Sequence, residues 1–243
     1  MRVVAIIQAR MRSTRLPGKV LKDLGGETVL GTVIHRTQRA TLLDEVVVAT
    51  SVLPADDAIQ RECERLSVPC FRGDETDVLD RYYHAAQKFA ADAIVRITAD
   101  CPLIDPELID VTVRAFLDQS PDYATNAMVE TYPRGLDVEV FSREALARAW
   151  RSAGKPYQRS HVTPYLYEEP GRFKVISLTA HGNYSGHRWT LDTAEDLEVI
   201  RGIYRHFNQR ASIGWRDVLG LVENQPELAG ANSQIKQKSL HEG

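Results

Sequence analysis

Four cations fall within twelve residues near the start of the chain. The segment QARMRSTRLPGK, residues 8 to 19, carries Arg10, Arg12, Arg15 and Lys19, and no acidic residue precedes Asp23. Ser13, Thr14 and Gly18 lie among them. Small residues let a backbone approach a phosphate closely, and N–H groups with arginine forks complete such a cradle. The spacing fits neither GxxxxGK[ST] nor GxGxxG, so any phosphate site here is of another kind. A run of arginines alone suits a solvated surface cluster equally well. Delivery of the loop by a short apolar run, Val3 to Ile7, weighs toward the phosphate reading.

Carboxylates supply the second half of the chemistry. TADCPLID (98–105) sets Asp100 just past an apolar run, and WTLDTAED (189–196) sets Asp192 just past another. Two aspartates at one sheet edge suit Mg²⁺, a hard cation that takes few carboxylates and completes its shell with phosphate oxygens and water. The competing readings are local. Asp105 is better explained as a helix N-cap, and Thr193 with Asp196, or Asp192 with Glu195, approaches a capping box. Cations for phosphate and a carboxylate pair for metal together point to a nucleoside triphosphate.

The elements that must position these residues alternate. VVAIIQA (3–9), DEVVVATS (44–51), VPCFRG (68–73) and DAIVRIT (92–98) read as buried strands. Helical patterns separate them at 27–40, 54–67 and 77–91. This is the pattern of an α/β sandwich around a largely parallel sheet, whose ligands bind beyond the carboxyl ends of the strands. Further on, 105–118 reads as a helix, LDVEVFS (136–142) as a half-exposed strand, and 143–154 as a helix ending at Gly154. Residues 155–187 form an irregular stretch with a helix near 158–168 and a strand near 173–178. HRWTLD (187–192) reads as a strand and 193–207 as an amphipathic helix. The segment from Asn224 onward is polar and expected to be mobile.

Composition limits the rest. The chain has 243 residues, 26% of them charged, and a net charge of −3. A nucleic-acid binder would spread its cations more widely. Three cysteines without a CxxC pair argue against a disulfide framework or a structural zinc site and favour a reducing, cytoplasmic setting. No stretch approaches the roughly 20 apolar residues needed to cross a bilayer.

At this point IIQARMRSTRLPGKVL resembles the N-terminal signature of the cytidylyltransferases that make CMP-activated sugar acids, the CMP-3-deoxy-manno-octulosonate synthetases and acylneuraminate cytidylyltransferases. Their pattern A-R-x-x-S-x-R-L-P-G-K is met by Ala9, Arg10, Ser13, Arg15, Leu16, Pro17, Gly18 and Lys19. TADCPLIDP and LDTAEDLE resemble two later segments of the family, in the same order. GDETDVLDRYYHAA and RGLDVEVFS bring the chain nearest the spore-coat polysaccharide SpsF-like branch. The resemblance implies a glycosyltransferase-A-like nucleotidyltransferase fold: a three-layer α/β sandwich with a mostly parallel mixed sheet. It also implies a homodimer formed through an arm. The expected layout is one domain over residues 1–223, with the arm within about 127–187, and a polar tail over 224–243.

It implies a reaction as well, in which an acceptor hydroxyl attacks the α-phosphate of CTP and pyrophosphate leaves, in surface polysaccharide biosynthesis. By position, Arg10, Ser13, Arg15 and Lys19 would hold the triphosphate, with the backbone of Ala9 and Arg10 against the cytosine. Lys19 and Arg15 would act on the reacting phosphates, and Asp100 and Asp192 would hold Mg²⁺. Arg12 stands at a variable position and reads as a peripheral charge. The acceptor, a small acidic sugar-like molecule, has candidates in Arg134, Asp137, Glu139, Arg159, His161 and Arg188, with Arg159 and Arg188 first for its carboxylate. His161 and His187 read as structural or peripheral, not catalytic. Three other readings stay open: transfer from another nucleotide such as UTP, glycosyl transfer from a nucleotide-sugar, and a nucleotide-binding subunit without catalysis.

Overall fold

The computed structural model describes residues 1–208 and 212–237. Seven strands form one sheet: β1 (Val3–Gln8), β2 (Glu45–Ser51), β3 (Cys70–Gly73), β4 (Ala93–Thr98), β5 (Tyr123–Thr125), β6 (Glu139–Ser142) and β7 (Val175–Ser177). Their order is β3-β2-β1-β4-β6-β5-β7. β1 to β4 run parallel, β6 is antiparallel to both β4 and β5, and β7 is parallel to β5. The sheet is therefore mixed and mostly parallel, as the sequence predicts.

Alternation along β1 divides the core in two. Val3, Ala5 and Ile7 face a layer built from α1 (Val29–Thr37), α2 (Asp57–Arg65), α4 (Pro106–Gln119), α8 (Ala194–His206) and α9 (Trp215–Asn224). Val4 and Ile6 face α3 (Val78–Lys88), α5 (Arg143–Ser152) and α7 (Pro164–Tyr167), with α6 (Pro156–His161) packed on α3. Val4 to Ile7 are inaccessible to solvent, which explains why the strand reads as a continuous apolar run and not an alternating one. Each buried Val or Ile contributes about 1.5–3 kcal/mol of transfer free energy.

Helix starts follow the sequence signals. Asp105 caps α4, accepting the Glu107 amide at 2.8 Å, with Pro106 in the first turn. Thr193 and Asp196 form the capping box of α8. Four expectations need correction. Residues 187–192 are not a strand: a single backbone bridge joins Arg188 to Arg134, and the stretch is an extended connection. α5 ends at Ser152, with Ala153 and not Gly154 as its C-cap. β6 begins at Glu139, so Asp137 precedes the strand it was expected to occupy. The segment after Asn224 is ordered as far as it is described, since α10 (Pro226–Gly230) follows at once and Asn232 is buried. The remainder of the expected tail, 238–243, lies outside the described residues.

Candidate active site

The basic loop leaves the end of β1 between β2 and β4. Its base is pinned by Asp56, a buried residue in the helical turn Pro54–Asp56. Asp56 Oδ1 accepts the Met11 amide at 2.7 Å, and Oδ2 accepts the Ser51 amide and hydroxyl. The Ala9 amide donates to Ala49 O at 3.1 Å. Gly18 closes the loop with its amide on Met11 O at 2.9 Å, in the left-handed conformation (φ 66°) that glycine adopts without strain. Lys19 opens the short helical turn Lys19–Leu21 and so points back under the loop.

Lys19 Nζ lies 2.6 Å from Asp100 Oδ2 and 2.8 Å from Asp192 Oδ1. Asp192 Oδ2 meets Arg15 at 3.0 Å and Arg188 Nη2 at 2.9 Å. Five residues, from Arg15 to Asp192, thus converge on one centre. Backbone contacts enforce the meeting: Leu191 N–H donates to Asp100 O at 2.8 Å, and the Thr190 hydroxyl donates to the same oxygen at 3.3 Å. The Asp100 loop is anchored from behind by Arg36, which is buried and donates to Ile104 O at 2.7 Å and Ile213 O at 2.8 Å. The Tyr204 hydroxyl adds a bond to Pro102 O at 2.7 Å.

Charge at this centre is stabilised by pairing. Burial disfavours both ions, yet the Lys19 ammonium holds the Asp100 carboxyl down at about 2. Burial likewise opposes the Lys19 charge, but Asp100 and Asp192 outweigh it and raise Lys19 above its ordinary value. Both groups stay ionised through the neutral range.

Of the other loop cations, Arg10 is exposed, and Arg12 reaches outward to Glu75 at 3.1 Å. The Ser13 hydroxyl accepts the Leu16 amide at 3.4 Å within the loop.

The acceptor candidates separate. Arg159 is tied to Asp77, the N-cap of α3, through Nε at 2.9 Å, and to Trp150 O at 2.6 Å. It fastens α6 to α3, and its fork is engaged there. Arg188 is engaged by Asp192 and Asp196. Neither first choice for an acceptor carboxylate is therefore a free guanidinium. Glu139 is buried and pairs with Arg96, while Tyr123 and Thr163 hydroxyls donate to it at 2.6 Å each. It is an internal, satisfied acid and not an open pocket wall. Arg134 and Asp137 differ. Arg134 is more than one-third exposed, with only a loose partner in Glu130 at 3.9 Å. Asp137 reaches solvent, yet desolvation by its surroundings, with Glu139 beside it, pushes its carboxyl up to about 6 against the pull of Arg134 and Arg96. Its charge also reaches the Cys101 thiol, next to Asp100.

Sequence reading missed Asp56, Asp196 and Asn232. Asp56 and Asp196 pass there for ordinary helix-start acids, and nothing around Asn232 marks it.

A sheet that delivers a cationic loop and two carboxylates to the carboxyl edge of its parallel strands is the framework of a nucleotidyltransferase. Within that class the chain belongs to the cytidylyltransferase family, whose model matches residues 4–211. It is 34% identical to the spore coat polysaccharide biosynthesis protein SpsF of Bacillus subtilis, over 93% of this chain and 96% of the relative. A 3-deoxy-manno-octulosonate cytidylyltransferase of Pelobacter propionicus is 38% identical over 120 residues, 49% of this chain and 46% of that protein. Among solved structures, a cytidylyltransferase from Leptospira borgpetersenii superposes with a TM-score of 0.92 at 32% identity, covering 98% of this chain and all of that one.

Proposed function

We propose that this cytidylyltransferase moves CMP from CTP to a hydroxyl of a small sugar acid or similar acceptor, with Mg²⁺, in the building of a surface polysaccharide. The convergence of Lys19, Arg15, Asp100 and Asp192 on one centre carries the reading. The acceptor oxygen attacks the α-phosphorus, the bond to the β-phosphate oxygen breaks, and pyrophosphate departs with the electron pair. Lys19 and Arg15 neutralise the growing charge on the leaving group, and Arg10 extends the same field over the phosphates. Ser13 and the loop amides orient the triphosphate.

Among the described residues no group of three or more His, Cys, Asp or Glu side chains is placed to hold a metal. Asp100 and Asp192 nonetheless fit Mg²⁺: both are hard carboxylate donors, and each has an oxygen within 2.8 Å of the Lys19 ammonium. When bound, Mg²⁺ supplies charge neutralisation and a fixed geometry for the phosphate oxygens. An ion held there would take over the charge balance that Lys19 gives the two carboxylates, and the ammonium would then serve the phosphates.

Arg134 and Asp137 form the acceptor wall in this reading, the arginine meeting a carboxylate and the aspartate accepting a hydroxyl proton. Exposed Met128 and Val129, in the loop before Arg134, support association as a homodimer through an arm within 127–187. Light scattering of the purified chain tests that point, a monomeric mass refuting it.

Pyrophosphate release tests the activity. The chain is incubated with each nucleoside triphosphate, Mg²⁺ and a panel of sugar acids. Release that requires CTP and one acceptor is expected, and Asp100→Asn abolishes it while the circular dichroism spectrum is unchanged. Release with UTP and not CTP, or retention of activity in Asp100→Asn, overturns the reading.

A further inference from the structure

Beyond α9 the chain returns to the site. Asn232 is buried, and its Nδ2 donates to Asp196 Oδ1 at 2.9 Å and to Arg188 O at 3.0 Å. Asp196 is wholly inaccessible. Its Oδ1 also receives Arg188 Nε at 2.9 Å. Its Oδ2 receives Arg188 Nη2 at 3.1 Å and the amides of Asp192 and Thr193 at 2.9 and 3.0 Å. Arg188 Nη2 then reaches Asp192 Oδ2 at 2.9 Å. One line of contacts therefore runs from Asn232 through Asp196 and Arg188 to the carboxylate that Lys19 and Arg15 also grip. Asp196 lies below the ordinary carboxylate range: burial opposes its charge, but Arg188, the Asp192 amide and Asn232 outweigh that.

The docking of this segment is built into the helix beneath it. Gly202 of α8 leaves room for Leu228, whose Cδ1 would lie only 2.5 Å from a β-carbon at that position. Leu228 packs against the core there. Gln237 accepts a further bond from Arg188 Nη1 at 2.9 Å. Five consecutive residues of α10 and the turn after it thus deliver Asn232 to a buried acid that it alone, outside residues 188–196, contacts through a side-chain amide at Oδ1 among the described residues.

We propose that residues 226–237 clamp the nucleotide site, and that Asn232 is the positioning residue which, through Asp196, fixes the Arg188 guanidinium and with it the aim of Asp192. The proposal rests on the assignment of Asp192 to the phosphate and cation centre. Arginine has many rotamers, and its planar fork is held in one of them only when several acceptors agree. Asp196 and Gln237 supply those acceptors, and Asn232 orients Asp196. Removing such an outer contact costs ligand affinity or rate without removing a ligand.

The test uses the full chain with Mn²⁺ as the probe ion in the presence of CTP, free Mn²⁺ being read by electron paramagnetic resonance. Amide exchange over residues 188–196 and steady-state kinetics are measured alongside. In Asn232→Ala, Mn²⁺ affinity and kcat each fall about 10-fold, and the Asp192 and Thr193 amides exchange faster. In Asn232→Asp, which sets a second carboxylate against Asp196, the loss is larger. Mn²⁺ affinity unchanged in both variants, while Asp192→Asn abolishes Mn²⁺ binding, overturns the clamp and leaves the centre intact. Mn²⁺ binding unchanged in Asp192→Asn overturns the assignment on which the clamp rests.

Discussion

Lys19 has two acids within hydrogen-bond reach, so the site turns on its charge. Lys19→Ala leaves Asp100 without its cation while Asp192 keeps Arg15 and Arg188, and it is expected to weaken triphosphate binding. A loss of about 2–4 kcal/mol in kcat/KM is expected, the scale for removing one electrostatic stabiliser of developing charge. Steady-state kinetics with CTP check it, and a loss below threefold would show that the arginines suffice without Lys19. The meeting of the basic loop with Asp100 was legible in the sequence because β1 and β4 are buried apolar runs that end at one edge of the sheet, whereas Asp192, expected as a strand end, arrives on an extended connection. Arg159 and Arg188 were misread for a related reason. Sequence shows a charge but not its partner, and both arginines have buried or capping aspartates as theirs. The Asn232 contact was illegible, since 36 residues separate it from Asp196 and no local pattern links them.

At the level of elements, the close approach of residues 134–136 to 188–190 holds Asp192 beside Asp100. Gly135 permits it: with φ at +103°, a β-carbon there would lie 2.7 Å from the Trp189 carbonyl carbon and 2.8 Å from Thr190 N. Those are backbone atoms and cannot swing aside. Gly135→Ala is expected to destabilise the chain by about 2–4 kcal/mol, combining overpacking with left-handed strain. Thermal unfolding measures it, and a melting temperature within 1–2 °C of the unaltered chain, a shift worth at most about 1 kcal/mol, would refute it. The first four strands and the helices between them were legible because each buried strand is a continuous apolar run. β5 was not, because three residues are too few to show a period. Residues 187–192 carried a strand-like pattern but make only a single bridge, to Arg134. Their burial comes from packing Trp189 and Leu191 into the core, not from a ladder.

For the whole molecule, the acids of the cleft set opposed pH dependences. The Asp100 carboxyl is depressed to about 2, so the stability it contributes is complete above its ordinary 3.8 and is lost as pH falls toward 2. Asp137 is raised from 3.8 to about 6, so the folded chain binds its proton more tightly than the unfolded one, and stability is lost as pH rises through that window. Asp137→Asn is therefore expected to gain stability at pH 7 and none at pH 3. The gain is about 1 kcal/mol, because solvent screening of an exposed carboxylate takes up much of the shift. Urea unfolding at the two pH values measures it, and an equal change at both would refute the assignment. Among the described residues no helix is long and apolar enough to cross a membrane. The bond from Leu191 N–H to Asp100 O has a wider consequence. It is made by main chain on both sides, so it is indifferent to which side chains stand at either position, proline at 191 excepted. The spacing of the two candidate acids is thereby insulated from substitution at either position, and neighbouring loops can change without moving them apart.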